Sequence, residues 1–311
     1  MISGFMIVKD VIKPGYPFVE AVASALPVCD EFLISDGYST DGTYKAVARI
    51  AELNSKVKVF RQEWPKEKRF TLLADVTNWI RAKCSHEYIF SIQANEIVHE
   101  DSVQFLKALP KMCPEADTFS LPFLHLMKNF KFSEQFRLRF SKNLPNIVAT
   151  GDAWSLGVSR KFVRSEALKC VRHPKRLARY VGRGVQWTYA NVCGNPLSRA
   201  IYLPKPVYRY WSLFPRDCLE KCRNHKELFN VDDLGNVISS LESHADDLDQ
   251  SVFWNLAAGP LRKAPLGYKY PYGFAEILTR DHPKIMHPLL SDSKGKKYYV
   301  REELFDQIKA L

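Results

Sequence analysis

The sequence predicts an α/β protein: a Rossmann-like, mostly parallel sheet flanked by helices, with an α-rich C-terminal extension. Three observations predict it. Short apolar runs without alternation, such as Gly4–Val8 (GFMIV), suit strands buried on both faces of a parallel sheet. Stretches of helical periodicity separate these runs, giving the order βαβαβαβ up to residue 100, which right-handed crossovers turn into a parallel sheet with helices on both sides. The strands end in polar residues, and such a sheet gathers its strand ends along one edge, where ligands bind.

The first strand, Gly4–Val8, ends in Lys9-Asp10. Pro14-Gly15 breaks the chain, and Phe18, Val19, Val22, Ala25 and Leu26 then repeat at helical spacing. The second strand, Glu31–Ser35, runs into DGYSTDGT (36–43). Gly37 and Gly42 permit backbone angles closed to other residues, and Thr40 or Asp41 can cap the helix that starts at Thr43 and ends near Asn54. Val57–Phe60 is a third strand, and Leu72–Cys84 a helix with Leu73, Val76 and Ile80 on one face. The fourth strand, Tyr88–Ile92, ends in Gln93-Ala94-Asn95-Glu96. Asp10, Asp36 and Gln93–Glu96 are therefore expected along one edge. Helical runs at Arg216–Leu228, Leu248–Leu256 and Arg301–Leu311, with a Gly/Pro/Tyr-rich link at 267–273, give the last third its α-rich character. The expected division is 1–100 and 101–210 as two halves of one α/β domain, then 211–311 as the extension. The sequence carries no repeat and no signal for an oligomeric state.

A chain of 311 residues can bury a full core, and 46% hydrophobic with 25% charged residues is the balance of a globular protein. Seven cysteines of irregular spacing describe no disulfide framework, so reduced, mostly buried thiols in a cytosol are expected. Cys218 and Cys222, four apart, suit one helix face better than a zinc knuckle. No apolar run approaches the roughly 18–20 residues of a membrane helix, and Met1–Val8 lacks the basic start and cleavage site of a secretory signal. The expectation is a soluble, cytoplasmic protein, with peripheral contact to the inner face of the membrane left open.

The net charge of +11 is unevenly placed: Arg160–Arg183 holds nine Lys/Arg and one acid, Glu166. Such a field attracts phosphate on a nucleotide, a lipid surface or an acidic acceptor. No RNA-module, zinc-finger or recognition-helix pattern accompanies it, so no nucleic-acid partner is expected.

The order FMIVKD, CDEFLISDGYSTDGT, an asparagine-bearing helix and YIFSIQANEIVHED resembles glycosyltransferase family 2, the inverting enzymes of the GT-A fold. The resemblance is clearest over 1–100. Phe136–Asn143 (FRLRFSKN), Gly151-Asp152-Ala153 and Asp281-His282-Pro283 are similar to pieces of a bacterial subgroup. The resemblance implies a nucleoside-diphosphate sugar donor, a UDP-sugar first, and transfer to a hydroxyl of a glycan, lipid-linked or protein acceptor. It implies that Lys9 and Asp10 line the nucleotide pocket and that Asp36 accepts a hydrogen bond from the base. It also implies that Asp41 shapes the same loop and that Asn78 faces the pocket. An ionised carboxylate suits the imide N–H of uracil, since charge-assisted hydrogen bonds are the stronger ones.

The sequence departs from the family where Asp-x-Asp would hold Mn²⁺ or Mg²⁺ on the donor pyrophosphate. Here Gln93, Asn95 and Glu96 stand at the strand end, and hard cations want anionic oxygens. Three outcomes stay open: metal held weakly through Glu96 and Asn95, protein cations in its place, or lost activity. Lys175, Arg176 and Arg179, on one face of a helix that Pro174 can open, are candidate phosphate contacts. Inversion needs a general base, and Asp152 fits by its order in the chain and its glycine-flanked position, with Glu166, Asp246 and Asp247 as alternates. Trp154, Trp187, Tyr189, Tyr208, Tyr210 and Trp211 read mostly as core, and His125 as a half-buried histidine with satisfied partners. His282 carries no derived role. A sugar-nucleotide pyrophosphorylase would open with a Gly-rich phosphate loop, absent from KDVIKPG. A catalytically silent nucleotide-sugar-binding or scaffold protein is the alternative from another class.

Overall fold

The computed structural model describes residues 1–65, 71–127, 130–150, 153, 155–159, 198–229, 238–239, 241–243 and 282–311. Strands β1 (Ile2–Val8), β2 (Glu31–Asp36), β3 (Val57–Arg61) and β4 (Tyr88–Ser91) form the parallel part of one sheet in the order β3-β2-β1-β4. Helices α1 (Phe18–Ala25), α2 (Thr43–Leu53) and α3 (Leu72–Arg81) connect them. The α/β class with a mostly parallel, helix-flanked sheet is the class observed.

β1 and β2 are buried along almost their whole length, which is why their sequences lack alternation. Their side chains divide between two cores. Met6, Val8 and Ile34 join α1 and α2 on one face, while Phe5 and Leu33 join Ala74 and Ile80 of α3 on the other.

The sheet continues through β6 (Thr118–Met127) and β7 (Phe130–Lys142), a long antiparallel pair with β7 beside β4. β10 (Ser198–Ala200) and β11 (Val207–Ser212) lie parallel to β6, and β5 (Glu96–Ile97) runs antiparallel to β11. Between β5 and β6, α4 (Glu100–Met112) starts at His99, whose Nδ1 accepts the Asp101 N–H. The hairpin β8 (Ile147–Thr150) and β9 (Ser155–Val158) covers α3.

The C-terminal part contributes α5 (Pro215–Phe229), α6 (His287–Ser291) and α7 (Glu303–Ala310). Cys218 and Cys222 lie buried together on α5, their thiols hydrogen-bonded to each other. The predicted helix at Leu248–Leu256 lies outside the described residues. α7 folds back on α1 and α2, where Asn54 Nδ2 donates to the Ile308 carbonyl at 2.8 Å. Beside it Glu20, fully buried, accepts from Tyr298 Oη at 2.9 Å and Arg301 Nε at 3.2 Å.

Candidate functional site

Two loops at the carboxyl edge of the sheet, one after β1 and one after β2, are bonded into a single unit. Asp10 takes a left-handed backbone (φ 47°), an uncommon conformation for a residue with a side chain. Its N–H donates to Ser39 Oγ at 2.9 Å, and its Oδ1 accepts the Thr40 N–H at 2.6 Å and the Asp41 N–H at 3.3 Å. Asp41 works in the reverse direction, accepting the Lys13 N–H on Oδ2 at 2.8 Å. Its Oδ1 accepts the Thr43 N–H at 3.1 Å and Thr43 Oγ1 at 2.6 Å. Asp41 thus caps α2 from one residue before the cap position, which Gly42 occupies at φ 97°.

Beneath this unit Asp36, fully buried, accepts the Ser39 N–H at 3.2 Å and Arg61 Nε at 3.3 Å. Arg61 ends β3 directly opposite Asp36. Its guanidinium lies 4.1 Å from the ring centroids of both Tyr38 and Tyr44. Tyr38 remains 51% exposed. Trp64 closes on Gly37 so tightly that a Cβ there would meet its Nε1 at 2.6 Å, and Lys9 Nζ stands 5.6 Å from the Trp64 ring. The result is a shelf of aromatic faces with cations, of a kind on which a planar heterocycle stacks. Arg61, Tyr44 and Trp64 were not singled out by the sequence. The available signal was an arginine at the carboxyl end of β3, on the same edge as Asp36.

The strand end Gln93–Glu96 is organised differently. Glu96 is 1% exposed and has both oxygens engaged. Oε1 accepts Arg139 Nη2 at 2.6 Å, with Arg209 Nε at 4.0 Å, and Oε2 accepts the Gln93 N–H at 2.9 Å. Asn95 is buried and turns its amide to the Tyr210 carbonyl at 2.8 Å. Gln93 Nε2 and Arg139 Nη1 both donate to the Ala153 carbonyl, at 3.3 and 3.2 Å. These donors do not fit a divalent cation: the one carboxylate is held by a guanidinium, and the rest are neutral amides turned to backbone. Among the described residues no group of three or more His, Cys, Asp or Glu gathers as a metal site.

Asn78 is a fastening. Its Nδ2 donates to the Ala149 carbonyl at 2.9 Å and its Oδ1 accepts the Ala149 N–H at 2.7 Å, joining α3 to the β8–β9 hairpin. Asp152, Lys175, Arg176 and Arg179, with the alternates Glu166, Asp246 and Asp247, lie outside the described residues. The chain neighbour Ala153 is described, with the left-handed φ of 60° and the two hydrogen bonds given above. His282 is buried against Tyr208 and Tyr210, its Nδ1 2.8 Å from Tyr210 Oη.

Around Glu96 the sheet collects further cations. Arg209 on β11 is paired in register with Glu96 on β5 and with His125 on β6, so the three side chains stand in one cross-strand row. Burial, then the charges of Arg209, Arg137, Arg139 and Lys221, push the His125 imidazole down to about 2, so it is neutral. Lys221 of α5 donates to the Trp211 carbonyl at 2.6 Å and sits 4.6 Å from the Tyr16 ring. Burial first, then Arg209, hold its ammonium well below the usual lysine range.

No protein-family model matches the sequence, and no curated protein does. Among solved structures, residues 1–349 of S. aureus TarS align with 99% of this chain and 89% of that one, at 11% identity and a TM-score of 0.40. A longer S. aureus TarS chain aligns at 12% identity and a TM-score of 0.37, and this chain spans 55% of its length. The mannosyltransferase PcManGT from Pyrobaculum calidifontis, in complex with GDP-Man and Mn²⁺, aligns over 87% of this chain and 76% of its own. Its identity is 13% and its TM-score 0.38.

Proposed function

We propose that this chain is an inverting glycosyltransferase that moves a sugar from a nucleoside diphosphate, a UDP-sugar first, to a hydroxyl of a glycan, glycolipid or glycoprotein. The observation that carries the reading is the bonded pair of loops at the carboxyl edge, with its aromatic shelf. A uracil ring stacks on Tyr38. Asp36 is fully buried, so rather than accepting from the base directly, as the resemblance implies, it acts from beneath by holding Ser39 and Arg61. Asp10 and Asp41 hold the rim in shape, and Lys9, exposed beside Trp64, meets a phosphate. This arrangement agrees with the resemblance of DGYSTDGT to glycosyltransferase family 2.

Chemistry follows on the Glu96 side of the edge. The acceptor oxygen attacks the anomeric carbon, the bond from that carbon to the diphosphate oxygen breaks, and the nucleoside diphosphate leaves with the electron pair. Asp152 takes the hydroxyl proton. Its neighbour Ala153 is tied to Gln93 and Arg139, and this supports a base beside the leaving group.

Titration calorimetry with UDP and a turnover assay across nucleotide sugars test the reading. Asp36→Ala should weaken UDP by about tenfold or more, as loss of a charged hydrogen-bond network does. Asp152→Asn should retain UDP binding and lose turnover. Absence of nucleotide binding would sink the proposal. A second reading, a catalytically silent nucleotide-sugar binder, is favoured by the engagement of Glu96 with Arg139. UDP binding without turnover on any donor would establish it.

A further inference from the structure

We infer that the donor diphosphate is held by arginines of this chain rather than by a divalent metal, with Arg209 as the direct phosphate contact. The inference rests on the nucleotide-sugar reading of the same site and extends it to how the leaving group is bound.

Glu96 is the carboxylate kept at the strand end where, in the family the sequence resembles, Asp-x-Asp would hold a metal. A metal there would need an oxygen of Glu96. Arg139 Nη2 already sits on Oε1 at 2.6 Å, the Gln93 N–H on Oε2 at 2.9 Å, and Arg209 Nε stands 4.0 Å from Oε1. The ground beside the carboxylate is thus taken by two guanidiniums. Both belong to the long β6–β7–β11 part of the sheet, which fixes them independently of any ligand. Arg139 is further tied to the Ala153 carbonyl, and Arg209 is set by its register opposite Glu96 and His125.

Of the two, Arg209 keeps 15% of its side chain exposed, against 2% for Arg139. Arg139 is therefore the residue that positions Glu96 and Ala153, and Arg209 the one whose side chain reaches the surface, where an anion can meet it. Arg137 and Lys221 add positive field from β7 and α5, close enough for their charges to bear on His125. Guanidinium is the matching chemistry: its planar fork pairs with two phosphate oxygens at once and is always charged. Positive charge fixed beside the scissile bond stabilises the departing diphosphate in the way a metal would.

The loop after β1 connects this cluster to the nucleotide shelf. It begins at Lys9-Asp10, bonded to DGYSTDGT, and reaches α5 through Lys13–Glu220 at 3.6 Å and Tyr16 under Lys221. A nucleoside diphosphate lying along that loop would have its base at Tyr38 and its phosphates toward Arg209.

The test is calorimetric titration of the whole chain with UDP, uridine and inorganic pyrophosphate, first in EDTA and then with Mn²⁺. UDP and pyrophosphate should bind in EDTA and gain no more than about twofold from Mn²⁺, as a site whose charge is supplied by guanidiniums requires. Arg209→Gln should weaken UDP and pyrophosphate by about tenfold and leave uridine unchanged, because only the charged pair to phosphate is lost. Binding of UDP that depends on Mn²⁺, or an Arg209→Gln protein with wild-type affinity for UDP, would overturn the inference while leaving the nucleotide reading intact. Pyrophosphate binding in EDTA with no nucleotide bound would remove the nucleotide reading and, with it, the donor role of Arg209, leaving an anion site only. Binding of none of the three would remove both. The wild-type comparison of EDTA with Mn²⁺ decides whether a metal holds the diphosphate even if the variant fails to fold, and Arg209→Lys, which keeps the charge, then tests the direct contact.

Discussion

Arg139 and Glu96 are a buried pair, and the stability of the strand-end turn depends on both. Taking Arg139 away leaves Glu96 desolvated with only the more distant Arg209, at 4.0 Å, as counter-ion. Such a loss costs about 3–5 kcal/mol, whereas replacing both partners by apolar groups of similar volume is close to neutral. Arg139→Met should therefore lower the unfolding free energy read from urea titration by about that amount, and Glu96→Leu combined with Arg139→Met should recover most of it. A double variant as unstable as the single would show that the pair is not the source. The acids at the other strand ends follow a second rule. Asp10, Asp36 and Asp41 are legible as edge residues because each stands at or just after the end of a recognisable strand. Their partners are less legible. Asp36 meets Arg61 because β3 pairs with β2 in one particular register, and Glu96 meets Arg139 because β7 returns antiparallel from distant sequence. Asn78 reads as a pocket residue from the family resemblance, yet its short amide is spent on the backbone of Ala149.

Among the elements, α5 and the segment before α7 are joined through a titrating group. Asp217, buried in the first turn of α5, accepts the Tyr298 N–H on both oxygens at 3.1 and 3.0 Å. Burial raises its carboxyl to about 7, against the opposing pull of the Tyr298 N–H, Lys297 and the Phe214 backbone. An unfolded aspartate titrates near 3.9, so between roughly pH 4 and 7 the folded protein binds more protons than the unfolded chain. Stability should be fully present below pH 4 from this group and fall as pH rises through 7, by at most roughly 4 kcal/mol. Asp217→Asn should flatten that slope in urea titrations run across the window. An unchanged slope would place the proton elsewhere. The elements themselves are mostly legible from periodicity: α2, α3, α5 and α7 begin within a few residues of where their apolar faces predict. Helix ends are less so. α3 stops at Arg81 rather than Cys84: Ala82 still bonds the Asn78 carbonyl at helical spacing, and Lys83 and Cys84 close in tighter turns onto Ile80 and Arg81.

For the whole molecule, a ligand that binds only the folded state stabilises it by mass action. UDP at about a hundred times its dissociation constant should raise the unfolding free energy by about 2.7 kcal/mol. The thermal midpoint should rise with it, and by the same amount in EDTA as in Mn²⁺ if arginines hold the diphosphate. A midpoint unmoved by UDP would count against a nucleotide site on this fold. No described helix is long and apolar enough to cross a membrane. By itself the sequence determined the α/β class, the order of the strands in the first hundred residues and the edge on which their polar ends collect. These follow from local pattern: unbroken apolar runs, helical periodicity and short crossovers of fixed hand. Only the tertiary structure decided that α7 closes back on α1 and α2, and that Glu96 faces Arg139 rather than open solvent. It also decided that Arg209, His125 and Glu96 form one row. Those depend on strand register between segments far apart in the chain, and a shift of one residue would turn each side chain to the opposite face. The strand end that reads as weakened metal chemistry in the sequence is, in three dimensions, a place already filled by guanidinium charge.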